Sequence, residues 1–127
     1  MTKIDQEATI ESLKQAMQQF VDERNWSQYH TEKNLAAGIS IEAAELLELF
    51  LWLSPEQAAQ RSLNDPEFRQ AVGEEMSDVF LYILSLANRL GIDLASAVDA
   101  KLEKNRRKYP IDAYYGKFAN PVAKVAK

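Results

Sequence analysis

Two acidic segments hold the residue types and spacing that could do chemistry. The first, Ile41 to Trp52, contains Glu42, Glu45 and Glu48. The second, Glu74 to Tyr82, contains Glu74, Glu75 and Asp78. On a helix, residues three apart share a face, with Cβ atoms about 5–6 Å apart. Glu42 therefore pairs with Glu45, and Glu75 with Asp78. Each further step of three turns by about 60°, which leaves Glu48 at the margin of the first face. Ala, Leu, Val and Phe fill most other positions, so neither pair lies on an evident water-facing stripe. Carboxylates so close in apolar surroundings resist ionising unless they take up protons or bind a cation. Hard oxygen ligands suit Mg²⁺, Mn²⁺ or Ca²⁺. The chemical reading is an all-carboxylate divalent-metal site between two helices. The plainer alternative is that these glutamates are the solvated faces of two amphipathic helices. A single pair favours the plainer alternative; two pairs in the most apolar helices bring the alternatives into balance.

The flanking chain must position these groups. Ile10, Leu13, Met17, Phe20 and Val21 follow a helical period, predicting a first helix from Asp5 or Thr9 to Arg24. Asn25 to Asn34 is polar but carries Trp26, Tyr29 and His30. As a loop it could set aromatics around a flat ligand. Taken alone, Trp26 and Tyr29 are better read as core plugs and His30 as a surface residue. The second helix is expected from Lys33 to Leu53, closed by Trp52. Ser54, Pro55 and Gln57 form a capping signal for a short helix through Arg61. Asp65 and Pro66 repeat that signal for a third main helix from Pro66 to Leu90, ended by Gly91. Asp93 caps a fourth, Leu94 to Tyr109, with an apolar stripe of Leu94, Val98 and Leu102. Lys101, Asn105 and Tyr109 stand four apart on a neighbouring face and could offer an ammonium, an amide and a phenol to a phosphate and sugar. The basic run Arg106, Arg107 and Lys108 is explained by the helix dipole, a negative C-terminus favouring cations. After Pro110 the period is lost; the aromatics there are expected to pack back on the bundle or on a neighbouring subunit. Val122 to Lys127 reads as a loose tail.

Four main helices with short connections imply an all-α, antiparallel four-helix bundle. The 127 residues fit one domain, with a core over about residues 5–110 and a tail over 111–127. Cysteine is absent, which excludes disulfides and thiolate metal sites. A net charge of −4 argues against general nucleic-acid binding. The apolar runs are interrupted by Glu or Asp, and none reads as a bilayer span or a signal peptide. A soluble, cytoplasmic protein with no membrane partner is expected. The apolar content of the second and third main helices exceeds what one small bundle buries, which favours an oligomer.

The two acidic motifs in order, followed by Lys101, Asn105 and Tyr109-Pro110, resemble the MazG-like all-α nucleoside triphosphate pyrophosphohydrolases. Within them the chain looks most like the small dCTP pyrophosphatase branch. The likeness runs from about Phe20 to Gly116 and includes Trp26, His30, Lys33 and Trp52. Asn25 stands where Asp is frequent in that branch, and Tyr29 where Phe is frequent. The resemblance implies that Glu42, Glu45, Glu75 and Asp78 are catalytic ligands of Mg²⁺, with Mn²⁺ as substitute. Glu48 and Glu74 follow as outer ligands or orienters of water. Trp26, His30 and Trp52 would form a base pocket, while Lys33, Lys101, Asn105 and Tyr109 would meet phosphate and sugar. No P-loop is present to do so. The implied reaction cleaves the α–β phosphoanhydride of dCTP or modified dNTPs to a monophosphate and pyrophosphate, a house-cleaning of the nucleotide pool. The implied assembly is a homotetramer, a dimer of dimers. The same chemistry on dATP or dUTP is one alternative, and a non-catalytic helical interaction module is another. A di-iron carboxylate bundle fits poorly, because that chemistry uses Glu-x-x-His pairs and His30 is the sole histidine.

Overall fold

Each long helix begins where a short polar side chain satisfies its first free amides. Thr9 accepts from Ser12 N at 3.0 Å, and Ser12 Oγ accepts in return from Thr9 N at 3.1 Å. Ser54 and Gln57 form the same reciprocal cap. Thr31, Asp65 and Asp93 cap by accepting from Asn34, Phe68 and Ser96. A computed structural model describes residues 4–117. Among them it contains six helices and no strand: α1 Ile10–Glu23, α2 Glu32–Phe50, α3 Pro55–Asn64, α4 Pro66–Leu90, α5 Leu94–Lys108 and α6 Ile111–Tyr114. The all-α expectation holds. The expected loose tail lies outside the described residues.

The boundaries depart from the sequence reading in three places. α2 stops at Phe50 instead of Leu53, so Trp52 sits in a turn and not on the helix. The cause is Pro55: it forces Ser54 into extended backbone (φ −68°, ψ 161°), and the chain must leave α2 first. Leu53 N–H donates to Phe50 O at 3.0 Å, closing the turn. α3 runs on to Asn64 instead of Arg61. Beyond Pro110, where no period is legible, α6 makes a single turn.

The chain forms two compact units, one ending at Ile92 and the other starting at Asp93. In the first, α4 is the central element and packs against α2 most extensively, then α1 and α3. Gly38 faces Tyr82, and Phe50 meets Phe68 edge-on at 5.3 Å. Residue numbers rise along α2 as they fall along α4, so the pair is antiparallel. The buried core is Val21, Leu35, Phe68, Leu84 and Ala87. At Gly38 the helices approach so closely that an added Cβ would lie 2.6 Å from the Tyr82 ring. Two side chains tie α1 to α4 and its end: Asn88 Nδ2 donates to Lys14 O at 2.9 Å, and Lys14 Nζ donates to Ile92 O at 3.2 Å. Ile41, Leu47 and Met76 remain more than half exposed. In the second unit, Tyr109 closes α5 by donating from its N–H to Asn105 O at 2.8 Å. Its ring meets Tyr114 edge-on at 5.1 Å.

Candidate metal centre

The antiparallel α2–α4 pair brings the two acidic motifs together. One carboxylate oxygen each from Glu42, Glu75 and Asp78 lies within 4.8 Å of the others. Glu42 and Glu75 are half-buried, and the Oε2 of each is buried without a hydrogen-bond partner. Among the described residues none of the three forms an ion pair. Glu42 shows the cost of this crowding. Its carboxyl is pushed up to about 7 by a hydrogen bond with Glu45, by burial, and by the charges of Glu45, Asp78 and Glu75. Glu75 is also raised, by burial first and then by Glu45 and Asp78. Glu45 is more exposed and presses on both Glu42 and Glu75 from outside the trio.

These residues fit a hard divalent cation. Buried carboxylate oxygens normally have partners, and two here have none. An all-oxygen donor set with converging negative charge is what Mg²⁺, Mn²⁺ or Ca²⁺ takes.

Glu42 and Asp78 also line a cavity of about 580 Å³ between α1, α2 and α4, with Trp26 and His30 on its wall. Trp26 is placed by the end of α1. Asn25 takes left-handed backbone (φ 52°), Asn25 N–H donates to Asp22 O, and Trp26 N–H donates to Val21 O, each at 3.0 Å. This is a Schellman termination with asparagine in the left-handed position, where few residues other than glycine are comfortable. The apolar contact that accompanies such an ending is Trp26 edge-on to Phe20 at 5.8 Å. Two of the three clustered carboxylates, Glu42 and Asp78, therefore share one cavity with the aromatic wall.

The remaining candidates are not among the residues that line this cavity. Trp52 and Glu48 line a different cavity, of about 460 Å³, with Arg61, Asp65 and Phe68. Within this chain Trp52 does not join Trp26 and His30. Glu74 is exposed and accepts from Gln70 Nε2 at 3.1 Å. Lys33 is exposed on the first turn of α2. Lys101, Asn105 and Tyr109 lie in the second unit, with Asn105 and Tyr109 half-buried. Sequence reasoning missed Tyr82 and Phe20, which also line the large cavity. Gly38 was a usable signal for Tyr82, since a lone glycine inside an apolar helix marks a close approach.

The MazG-like family model matches residues 37–117, and the chain belongs to this family. It is 38% identical over 105 residues to dCTP pyrophosphatase 1 of Bos taurus, an alignment covering 83% of this chain and 62% of that protein. It is equally identical over 104 residues to dCTP pyrophosphatase 1 of Homo sapiens, covering 82% of this chain and 61% of that protein. The chain thus spans about three fifths of the length of these relatives. Its fold matches the crystal structure of a pyrophosphatase from Archaeoglobus fulgidus with a TM-score of 0.74 and 42% identity, covering 85% of this chain and 99% of that one.

Proposed function

We propose that the chain is a divalent-metal-dependent nucleoside triphosphate pyrophosphohydrolase that cuts the α–β phosphoanhydride, with dCTP or a modified dNTP as substrate. The observation that carries this reading is the partnerless, buried Oε2 atoms of Glu42 and Glu75 beside Asp78, with Glu42 and Asp78 lining one cavity with Trp26 and His30. The names of the relatives and of the Archaeoglobus fulgidus protein support the same reaction class.

In this mechanism Glu42, Glu75 and Asp78 would hold the cation, Mg²⁺ first and Mn²⁺ as substitute; Glu45, a fourth ligand by the family likeness, lies outside that trio and takes another role. When bound, it supplies positive charge to the triphosphate and acidifies water at the site. Glu45, pressed against Glu42 and Glu75, orients the attacking water and takes its proton. Trp26 stacks on the base, Phe20 closes the wall behind it, and His30 contacts the base edge. Lys33, Lys101, Asn105 and Tyr109 meet phosphate and sugar, a role that rests on residue type, spacing and family likeness. Trp52 contacts the base on the same likeness, with Glu48 and Glu74 as outer acidic groups. A homotetramer is part of the proposal, supported by the exposure of Ile41, Leu47 and Met76. Light scattering on the purified chain checks that assembly.

The test is a nucleotide panel. Each canonical and modified dNTP and NTP is incubated with Mg²⁺, with EDTA as control, and products are resolved. Mg²⁺-dependent monophosphate plus pyrophosphate is expected, with the preferred base fixing the substrate. Diphosphate plus phosphate would move the cut to the terminal anhydride. No turnover of any nucleotide would favour a non-catalytic interaction module.

A further inference from the structure

His30 stands between two cavities of unlike character. On one side is the cavity that holds Glu42, Asp78 and Trp26. On the other is a cavity of about 360 Å³ lined by Gln18, Ser27, Glu32, Ser85 and Arg89. Part of this second lining is already paired. Arg89 Nε meets Glu32 Oε1 at 3.1 Å, and Arg89 NH1 donates to Ser27 O at 3.3 Å. Two groups are not paired: Ser85 Oγ and His30 Nδ1 are both buried without a hydrogen-bond partner. Ser85 is 6% exposed, so bulk water does not reach it freely.

A helical serine usually discharges its hydroxyl proton onto the carbonyl one turn back. Ser85 does not, although Ser77 on the same helix does so to Gly73 at 2.7 Å. Its proton is therefore left without an acceptor in the protein. A polar cavity with two unmet groups on its wall is the setting that ordered water occupies. We propose that Ser85 is a positioning residue for His30: an ordered water accepts from Ser85 Oγ and donates to His30 Nδ1, holding the ring as the Nε2–H tautomer. The neutral imidazole has one acceptor and one donor nitrogen. With Nδ1 engaged as acceptor, the donor is the nitrogen left for the ligand, and it suits an acceptor such as a base carbonyl. The effect on nucleotide binding rests on the function proposed above; the tautomer does not.

His30 is the only histidine, so its imidazole signals in untagged, ¹⁵N-labelled protein need no assignment. Long-range ¹H–¹⁵N correlations at about pH 8, where an ordinary histidine is neutral, read the tautomer directly. The wild type should show Nε2–H. Ser85→Ala should move the ring toward a mixture with Nδ1–H. Ser85→Thr and Ser85→Val share a shape and differ in the hydroxyl, so Thr should keep the wild-type signature and Val should lose it. An Nδ1–H wild type, or one tautomer throughout the series, overturns the proposal. In turnover, Ala and Val should raise KM for the preferred nucleotide about fivefold with kcat little changed, and Thr should not. A tautomer change without a KM change overturns the positioning role. Absence of turnover on every nucleotide sinks the nucleotide reading instead, and the tautomer series then judges the water bridge alone.

Discussion

Carboxylates gather at two places along α2, at its middle and beyond its C-terminal end, and the two gatherings differ in what answers their charge. Near Glu42, three carboxylates converge and, among the described residues, none of them forms an ion pair; Glu42 and Glu75 are pushed up. Near Trp52, Glu48, Asp65 and Glu67 also line one cavity. There Arg61 reaches Asp65 at 3.3 Å and lies 4.5 Å over the Phe68 ring. Asp65 is held below the usual carboxylate range, first by the Phe68 amide and then by Arg61. Acidic spacing is common to both gatherings. What marks the Glu42 cluster as the candidate metal centre is that, among the described residues, no basic side chain forms an ion pair with it.

The largest expected effect breaks the comparison by chemistry. Asp78→Asn should reduce kcat/KM by more than the roughly 100-fold that removing an outer-shell partner of a metal costs. Asp65→Asn should leave turnover unchanged, since asparagine caps a helix as well as aspartate does. Both are read by steady-state turnover at saturating Mg²⁺, with circular dichroism to confirm that each variant is folded. Equal losses in the two variants would remove the distinction between the gatherings.

Packing breaks it next. Gly38 lets α2 approach α4 one turn before Glu42. Gly38→Ala gains about 1 kcal/mol of helix propensity. The Cβ, at 2.6 Å from the Tyr82 ring, forces a shift that costs about 1–3 kcal/mol. A net loss is expected in urea denaturation, together with weaker Mn²⁺ binding. Gly73 on α4 has open space where its Cβ would go. Gly73→Ala should stabilise by about 0.5–1 kcal/mol.

pH sharpens the comparison, because the two gatherings predict opposite slopes. Glu42 binds its proton more tightly folded than unfolded. In EDTA its contribution to stability is full below its ordinary value of 4.5 and is lost as pH rises through about 7. Asp65 does the reverse: its contribution is present above its ordinary value of 3.8 and is lost as pH falls below it. Thermal melts across pH should show the neutral-side loss vanish in Glu42→Gln and the acid-side loss shrink in Asp65→Asn. Mn²⁺ should raise Tm most at the alkaline side of Glu42, where metal no longer competes with a proton.

Much of this was legible in residue spacing. The caps at Thr9, Ser54, Asp65 and Asp93 are local signals, because a cap bonds within its own first turn. The meeting of Glu42 with Glu75 and Asp78 was legible because both pairs sit in apolar helices that must pack together. Three things were not. α2 was read three residues too long because the apolar run continues through Leu53, while the proline that stops it acts from two residues further on. Asn25 stood out only as a departure from the family pattern; its left-handed backbone gives the physical reason for a short polar residue there. The family likeness puts Trp26 and Trp52 in one pocket, whereas within this chain they line different cavities. Sequence shows two aromatic residues but not that they face different cavities.

That pair of tryptophans gives the smallest effect and the finest test of the comparison. Trp26 is 42% exposed and packs on Phe20 and near His30; Trp52 is 86% exposed. Trp26→Ala should destabilise the isolated chain, because it removes the apolar closure of the α1 ending as well as a cavity wall. Trp52→Ala should change the stability of a dilute monomer by no more than about 0.5 kcal/mol, as for an exposed side chain with little to lose. Its effect should appear in KM and in base choice. A much larger stability loss for Trp52→Ala that grows with protein concentration would mean that a second copy covers the indole. The cavity beside Glu48 would then be one wall of a shared site, and the two gatherings along α2 would differ in assembly as well as in charge.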